Sequence, residues 1–104
     1  MERLVKTKED EIIKLIKDRD YKSIRHFAQS MDMNGTNVWR NVKGFQPINL
    51  NIAFRYAKAL HVPIDEIMRL FRPDDVAELN RNIARYKKEL EDKRIEEEVL
   101  YGKG

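Results

Sequence analysis

The segment Ser23–Gly44 most constrains the fold of this chain, because it contains two helix signals separated by only a few residues. Ser23 is a good helix N-cap. The apolar residues that follow it repeat at the spacing of one helical face: Ile24, Phe27, Ala28 and Met31. Asp32 tolerates a left-handed turn, and Asn34 can cap a second helix over Gly35–Lys43. The segment therefore predicts a helix, a tight turn and a second helix.

The second predicted helix has one apolar and one polar side. Its apolar residues Val38, Trp39 and Val42 fall on one side at about 100° per residue, and we expect Trp39 to pack in the core rather than to contact bases. The other side carries groups that hydrogen-bond base edges: Thr36, Asn37, Arg40 and Asn41. No acidic residue lies between Met33 and Ile64, as expected of a surface that faces a polyanion. The alternative is an ordinary amphipathic helix with a solvated polar face.

Positive charge is concentrated on the same half of the chain. The net charge is +3, but Arg19–Lys58 contains seven basic and two acidic residues, whereas residues 73–104 contain seven basic and nine acidic ones. Such a distribution is typical of a nucleic-acid footprint. The residues that we expect to contact phosphates lie in or next to the two helices: Lys22, Arg25, Asn34, Gly35 and Lys43.

Composition argues against several other classes of protein. The chain has 104 residues, no cysteine and two histidines that stand apart from each other, so no disulfide, metal site or cofactor is predicted. No glycine-rich phosphate loop or catalytic cluster is present, and we expect no enzyme. No apolar run reaches membrane-spanning length and no signal peptide precedes the first helix, so we expect a cytoplasmic protein.

Three further helices are predicted around this segment. The first is centred on Ile12–Ile16, and Thr7 with Asp10 resembles a capping box at its start. Asn49 can cap a fourth helix, roughly residues 50–60. After the break at Pro63, a fifth helix is predicted over Ile64–Phe71.

A final helix is predicted after Arg72-Pro73, which divides the chain into a domain of residues 1–72 and a C-terminal element of residues 73–104. Apolar residues alternate there in steps of three and four, the spacing of a coiled coil: Val76, Leu79, Ile83, Tyr86 and Leu90. Pairs of opposite charge at i, i+4 occupy the other faces between Arg85 and Lys93. The stripe either folds back onto helices 1 and 5 or meets a partner helix, and we expect it to form a dimer.

The chain resembles the lambda-repressor-like family, the Cro/XRE-type helix-turn-helix proteins, over residues 12–71. The resemblance rests on Phe27-Ala28, on Gly44 after the third helix, and on Tyr56–Val62 followed by Ile64–Ile67, which looks much like the family's "LAKALGVSLDEL" sequence. It implies an all-α domain of five helices, with the third helix in the major groove of double-stranded DNA, followed here by the long C-terminal helix.

Two registers of the third helix remain open. The family places an apolar residue at the position of Asn41, and Gln often stands where this chain has Ile24. Thr36 and Asn37 face DNA in either register, whereas Arg40 and Asn41 exchange places. The resulting hypothesis is a dimeric, repressor-like transcriptional regulator; the alternative is an antitoxin or a phage or plasmid regulator whose C-terminal helix binds a different protein.

Overall fold

The computed structural model describes the backbone of residues 2–100 and the side chains of residues 2–95. All regular elements in that part of the chain are helices, which confirms the all-α class. In chain order they are α1 (Glu9–Asp18), α2 (Ile24–Ser30), α3 (Gly35–Lys43), α4 (Leu50–Leu60), α5 (Ile64–Phe71) and α6 (Pro73–Leu100). The predicted bounds of α3, α4 and α5 are confirmed.

Local capping chemistry explains where these helices begin and end. The side-chain oxygens of Ser23, Asn34 and Asn49 each accept a hydrogen bond from a backbone N–H in the first turn of α2, α3 and α4, as predicted. Asp32, in the turn between α2 and α3, has the predicted left-handed conformation with φ of 56°. Gly44 ends α3 with φ of 87°.

The core of α1–α5 is built around Tyr56. The Tyr56 ring lies between the rings of Phe27 and Phe71, with centroid distances of 5.5 and 5.1 Å, and all three side chains are buried. Other buried apolar side chains surround them: Ile12, Ile16, Ala28, Val38, Val42, Ile48, Ala53, Ala57, Leu60, Ile67 and Leu70. Burial raises the pKa of the Tyr56 hydroxyl well above its ordinary value near 10. This core holds α2 closely against α3 and α4 closely against α5.

The N-terminal segment, residues 2–8, crosses the end of α3. The backbone N–H groups of Leu4 and Val5 donate to the carbonyl oxygen of Gly44 at 2.8 and 3.1 Å. The Thr7 hydroxyl donates to a carbonyl oxygen in the last turn of α3 at 2.6 Å. The last residue of the segment donates its N–H to a carbonyl oxygen near the end of α5 at 2.8 Å. The segment therefore satisfies carbonyl groups that the two helices leave unpaired.

The predicted capping box at the start of α1 is wrong. Lys8 is the N-cap residue, and no side chain caps the helix. The Thr7 hydroxyl is instead bonded to the last turn of α3. Three acidic residues in the first turn of α1 favour its start by their interaction with the helix dipole: Glu9, Asp10 and Glu11.

The contacts within the chain divide it into two units, Met1–Asp74 and Asp75–Gly104. α6, most of which belongs to the second unit, is 28 residues long, or about 40 Å at 1.5 Å per residue. The last part of the predicted C-terminal element, residues 101–104, lies outside the described residues. None of the helices described in residues 2–100 combines the length and the apolar character required to cross a bilayer.

Candidate nucleic-acid interface

The structure decides the register of α3. Its inward side chains are Val38, Asn41 and Val42. At 100° per residue, the side chains on the opposite side and its two flanks are Thr36, Asn37, Trp39, Arg40 and Lys43. We call this set the outward face of α3. Thr36 and Asn37 are exposed, and Arg40 is half-buried with no ion pair to any of the described side chains.

The prediction of Asn41 as a base contact is wrong. The side chain is 7% exposed, and both ends of its amide are hydrogen-bonded within the protein. Its Oδ1 atom accepts from the Tyr56 hydroxyl at 2.6 Å, and its Nδ2 atom donates to the carbonyl oxygen of Gln46 at 2.8 Å. A buried amide is tolerated only when its polar atoms are paired in this way. Asn41 therefore holds α3 and the following loop against α4.

The prediction that Trp39 packs in the core is also wrong. Its side chain is 39% exposed and stands on the outward face of α3. Its ring packs against Phe45, with centroids 5.4 Å apart and planes at 43°. Because Asn41 points inward, the buried side of the helix is rotated away from Trp39 and toward Val38. Trp39 is the exposed residue of this face that the sequence pattern does not reveal, and an inward Asn41 is the signal that could have found it.

Two of the predicted phosphate contacts around the start of α3, Arg25 and Gly35, lie beside each other. Lys22 and Arg25 are exposed, and the Arg25 side chain lies beside Gly35. A methyl group added at Gly35 would be 3.8 Å from the Arg25 Cα and Cγ atoms. The Asn34 Oδ1 atom accepts from the N–H groups of Thr36 and Asn37 at 2.8 and 3.3 Å, so this oxygen is occupied by capping.

Lys43 does not stand free at the other end of α3. Its Nζ atom forms an ion pair with Glu9, and Arg3 approaches the same carboxylate at 3.7 Å. The absence of acidic residues from the sequence around α3 therefore does not extend to its surroundings in space. A paired lysine is a weaker phosphate ligand than a free one, because part of its charge is already neutralised. The structure thus weakens the prediction for Lys43, whereas Lys22 and Arg25 form no ion pair with any side chain of residues 2–95.

A shallow groove of about 590 Å³ runs between α2 and the start of α3. Apolar side chains of Ile24, Met33 and Trp39 line it together with polar groups from both helices. His26, on α2, uses its Nδ1 atom to accept a hydrogen bond from the Lys22 N–H at 2.9 Å, which fixes the orientation of the imidazole ring. The groove itself places apolar surface beside the Arg25 side chain.

The apolar stripe of α6 is largely uncovered. Leu79, Ile83, Tyr86 and Leu90 are between 42% and 59% exposed, and Val76 is partly buried. The predicted i, i+4 ion pairs do not form between the described side chains from Arg85 to Lys93. A continuous row of exposed apolar side chains on a long helix is typical of a surface that meets another helix.

Comparisons with known proteins add no relative from which a function could be transferred. No protein-family model, no curated protein and no solved structure matches the chain. The resemblance to Cro/XRE-type proteins therefore remains a hypothesis based on Phe27-Ala28, Gly44 and the segment Tyr56–Ile67. The function must be inferred from the exposure, charge and chemistry of the outward face of α3.

Proposed function

We propose that this protein is a sequence-specific DNA-binding transcriptional regulator that places α3 in the major groove. The observation that carries the proposal is the outward face of α3, where Thr36, Asn37 and Arg40 are not used by the protein's own core. Hydroxyl, amide and guanidinium groups are those that read base edges, and an arginine commonly makes a bidentate contact with guanine. A nine-residue helix also fits within a major groove about 12 Å wide.

The surrounding charges support different roles for α2 and α3, with phosphate contacts near the start of α2 and base contacts on α3. Lys22 and Arg25 near the start of α2 would contact phosphates and fix the orientation of the protein. Gly35 brings the first turn of α3 close to Arg25, so a base contact and a phosphate contact would be made by neighbouring turns. Phosphate contacts provide affinity for any sequence, whereas Arg40 and its neighbours provide the preference.

A dimer follows from the size of this interface. A single short helix binds DNA weakly, and proteins of this kind commonly bind two half-sites one helical turn, about 34 Å, apart. The stripe Val76–Leu90 of α6 would supply the contact between two copies, because its apolar side chains repeat at coiled-coil spacing and all but Val76 are exposed. A homodimer on a symmetric site is therefore part of the proposal.

The test is selection of binding sites from random duplex DNA, with mass measurement of the free protein. We expect a preferred sequence with two-fold symmetry and a dimer in solution. Arg40→Ala should weaken binding to the selected site by ~1–3 kcal/mol and change binding to random DNA little. Recovery of no preferred sequence would overturn the assignment of sequence-specific binding.

Two matched arginine variants sharpen the test, because each removes the same charge from a different surface. Arg25→Ala should weaken binding to selected and random DNA alike and reduce the salt dependence by about one phosphate contact. Arg69→Ala on α5, where the guanidinium is paired with Glu66 and Glu11, should leave binding unchanged. Equal losses for all three variants would indicate a general charge effect rather than base recognition.

The exposure of the α6 stripe also fits the second hypothesis, in which α6 binds a different protein. Ile83→Glu distinguishes the two, because it places a charge in the middle of the stripe. If two copies meet there, the variant should be monomeric and lose cooperative DNA binding. If the wild-type chain is itself monomeric and binds DNA as the variant does, α6 serves another partner.

A further inference from the structure

Trp39 is the only tryptophan in the chain, and it lies beside two of the proposed base contacts, Thr36 and Arg40. Its side chain is 39% exposed, whereas the other large apolar side chains of α3, Val38 and Val42, are completely buried. Burial in the core is the usual role of a large apolar side chain on such a short helix. The core of this protein leaves a large part of the indole surface unused.

The indole is held in place although it is exposed. Phe45 packs against it from the loop that follows α3, and the guanidinium of Arg3 lies 6.0 Å from the centroid of the Phe45 ring. On the other side the indole borders the groove that Ile24 and Met33 line. A supported aromatic side chain loses little conformational freedom when it binds a partner. Trp39 therefore offers a preformed apolar surface on the outward face of α3.

The chemistry of the indole limits what it can recognise in a duplex. Its single polar group is an N–H donor, and it has no acceptor. The remaining surface is apolar, and the only apolar group that the bases present in the major groove is the 5-methyl group of thymine. We propose that Trp39 contacts a thymine methyl group beside the bases read by Thr36 and Arg40. This inference rests on the proposed function, and it assigns a thymine to the recognised site.

The test replaces each thymine of the selected duplex with uracil, which removes the methyl group and keeps base pairing unchanged. The wild-type protein should lose about four-fold in affinity at one thymine position in each half-site, the loss expected for one buried methyl group. Trp39→Ala should bind the thymine and uracil duplexes equally. 5-Methylcytosine carries its methyl group at the same ring position as thymine. With guanine opposite it at the sensitive position, the wild type should bind 5-methylcytosine more tightly than unmethylated cytosine.

Two variants provide controls for the loss of an exposed aromatic ring. Phe54 on α4 is 56% exposed and belongs to none of the proposed contacts, so Phe54→Ala should retain the full preference for thymine. Trp39→Phe keeps an aromatic ring on α3 and should retain part of the preference. Because the chain has a single tryptophan, its fluorescence gives a direct readout, and we expect a larger change with the thymine duplex than with the uracil duplex.

The outcomes separate this inference from the proposed function. If the wild type selects a duplex but binds its uracil form as well as its thymine form, the Trp39 assignment is overturned and the regulator assignment stands. The same holds if uracil weakens the wild type and Trp39→Ala equally. If the wild type binds single-stranded oligonucleotides more tightly than the duplex and Trp39→Ala does not, Trp39 stacks on unpaired bases. That result also overturns the methyl contact. Failure to select any duplex would overturn both proposals.

Discussion

α3 and α6 reach the helical state by opposite routes. α3 has nine residues, too few to be stable alone, and it depends on the Asn34 cap, the left-handed Gly44 and the burial of Val38 and Val42. α6 has 28 residues, and its described side chains from Leu79 to Ile95 are all exposed. A helix held on one side by a core can present the other side in a fixed orientation. The stability of a helix without such support depends on the partner against which it packs.

Exposed apolar residues therefore have different roles on the two helices. On α3, the exposed Trp39 is surrounded by buried neighbours and supported by Phe45, so its position is determined by the fold. On α6, Leu79 and Ile83 repeat along one stripe with no buried neighbour among the described side chains of the helix. The first arrangement fits recognition of a rigid partner, and the second fits association with another helix.

The largest effect is expected from Gly44→Ala, which tests how far α3 depends on its C-terminal end. A methyl group at this position would lie 2.1 Å from the carbonyl oxygen of Val5, and φ is 87°. The left-handed conformation and the loss of two hydrogen bonds from the N-terminal segment should together lower the free energy of unfolding by about 2–5 kcal/mol. Urea denaturation measures the change.

Gly35→Ala is the matched control for that variant. Its added methyl group would be 3.8 Å from Arg25, an ordinary contact, and should change the free energy of unfolding by less than about 1 kcal/mol. Similar losses for both glycine variants would contradict the view that Gly44 is special.

Tyr56→Phe tests the buried hydrogen bond that sets the register of α3. It leaves the Oδ1 atom of Asn41 without its 2.6 Å partner and should lower the free energy of unfolding by about 1–3 kcal/mol. The double variant Tyr56→Phe/Asn41→Leu replaces both partners with apolar groups and should be less destabilised than the sum of the single variants. Strictly additive changes in the free energy of unfolding would show that the hydrogen bond between Tyr56 and Asn41 does not hold α3 in place.

The same hydroxyl predicts a loss of stability in alkali. Burial raises the pKa of Tyr56, so the folded state keeps its proton at pH values at which the unfolded state loses it. The contribution of the Tyr56 hydroxyl to the free energy of unfolding is therefore complete below pH 10. Above pH 10 it should fall by about 1.4 kcal/mol per pH unit, until the folded-state pKa is reached. Comparing wild type with Tyr56→Phe between pH 9 and pH 11 isolates this contribution. Parallel curves for the two proteins would argue against it.

The smallest effect on folding is expected in α6. Ile83→Glu should change the free energy of unfolding of residues 2–72 by less than about 0.5 kcal/mol, because its side chain is 42% exposed. Its effect should appear in oligomeric state, measured by sedimentation. Ala84→Glu, at a neighbouring exposed position on the side of the helix away from the stripe, should leave the mass unchanged. Destabilisation of the first unit by Ile83→Glu would remove the contrast between the two helices.

Local signals account for what the sequence predicted correctly. Ser23, Asn34 and Asn49 cap helices through groups two or three residues away, so pattern and chemistry were sufficient to find them. The same is true of Gly44. These short-range rules placed the segment that contains the candidate interface and the bounds of α3–α5.

The wrong predictions involve partners that are distant in sequence. Asn41 is buried because the Tyr56 hydroxyl reaches it from α4, and no local rule reveals that contact. Trp39 was assigned to the core on the basis of its size, and the inward Asn41 displaced it. The sequence predicts Lys43 as a phosphate contact in a stretch without acidic residues, yet α1 brings Glu9 to its side chain. Tertiary contacts therefore change which side chains belong to the candidate interface without moving the helix that carries it.

The N-terminal segment gives α3 a dependence that its own residues do not show. Leu4 and Val5 are joined to the end of α3 by two backbone hydrogen bonds, while Leu4 itself is 71% exposed. A segment that buries so little surface detaches at a lower free energy than a core unfolds. Warming should therefore release the N-terminal segment before the helices separate. Hydrogen exchange at the Leu4 and Val5 amides would then show when the end of α3 loses these two hydrogen bonds and its last turn begins to fray.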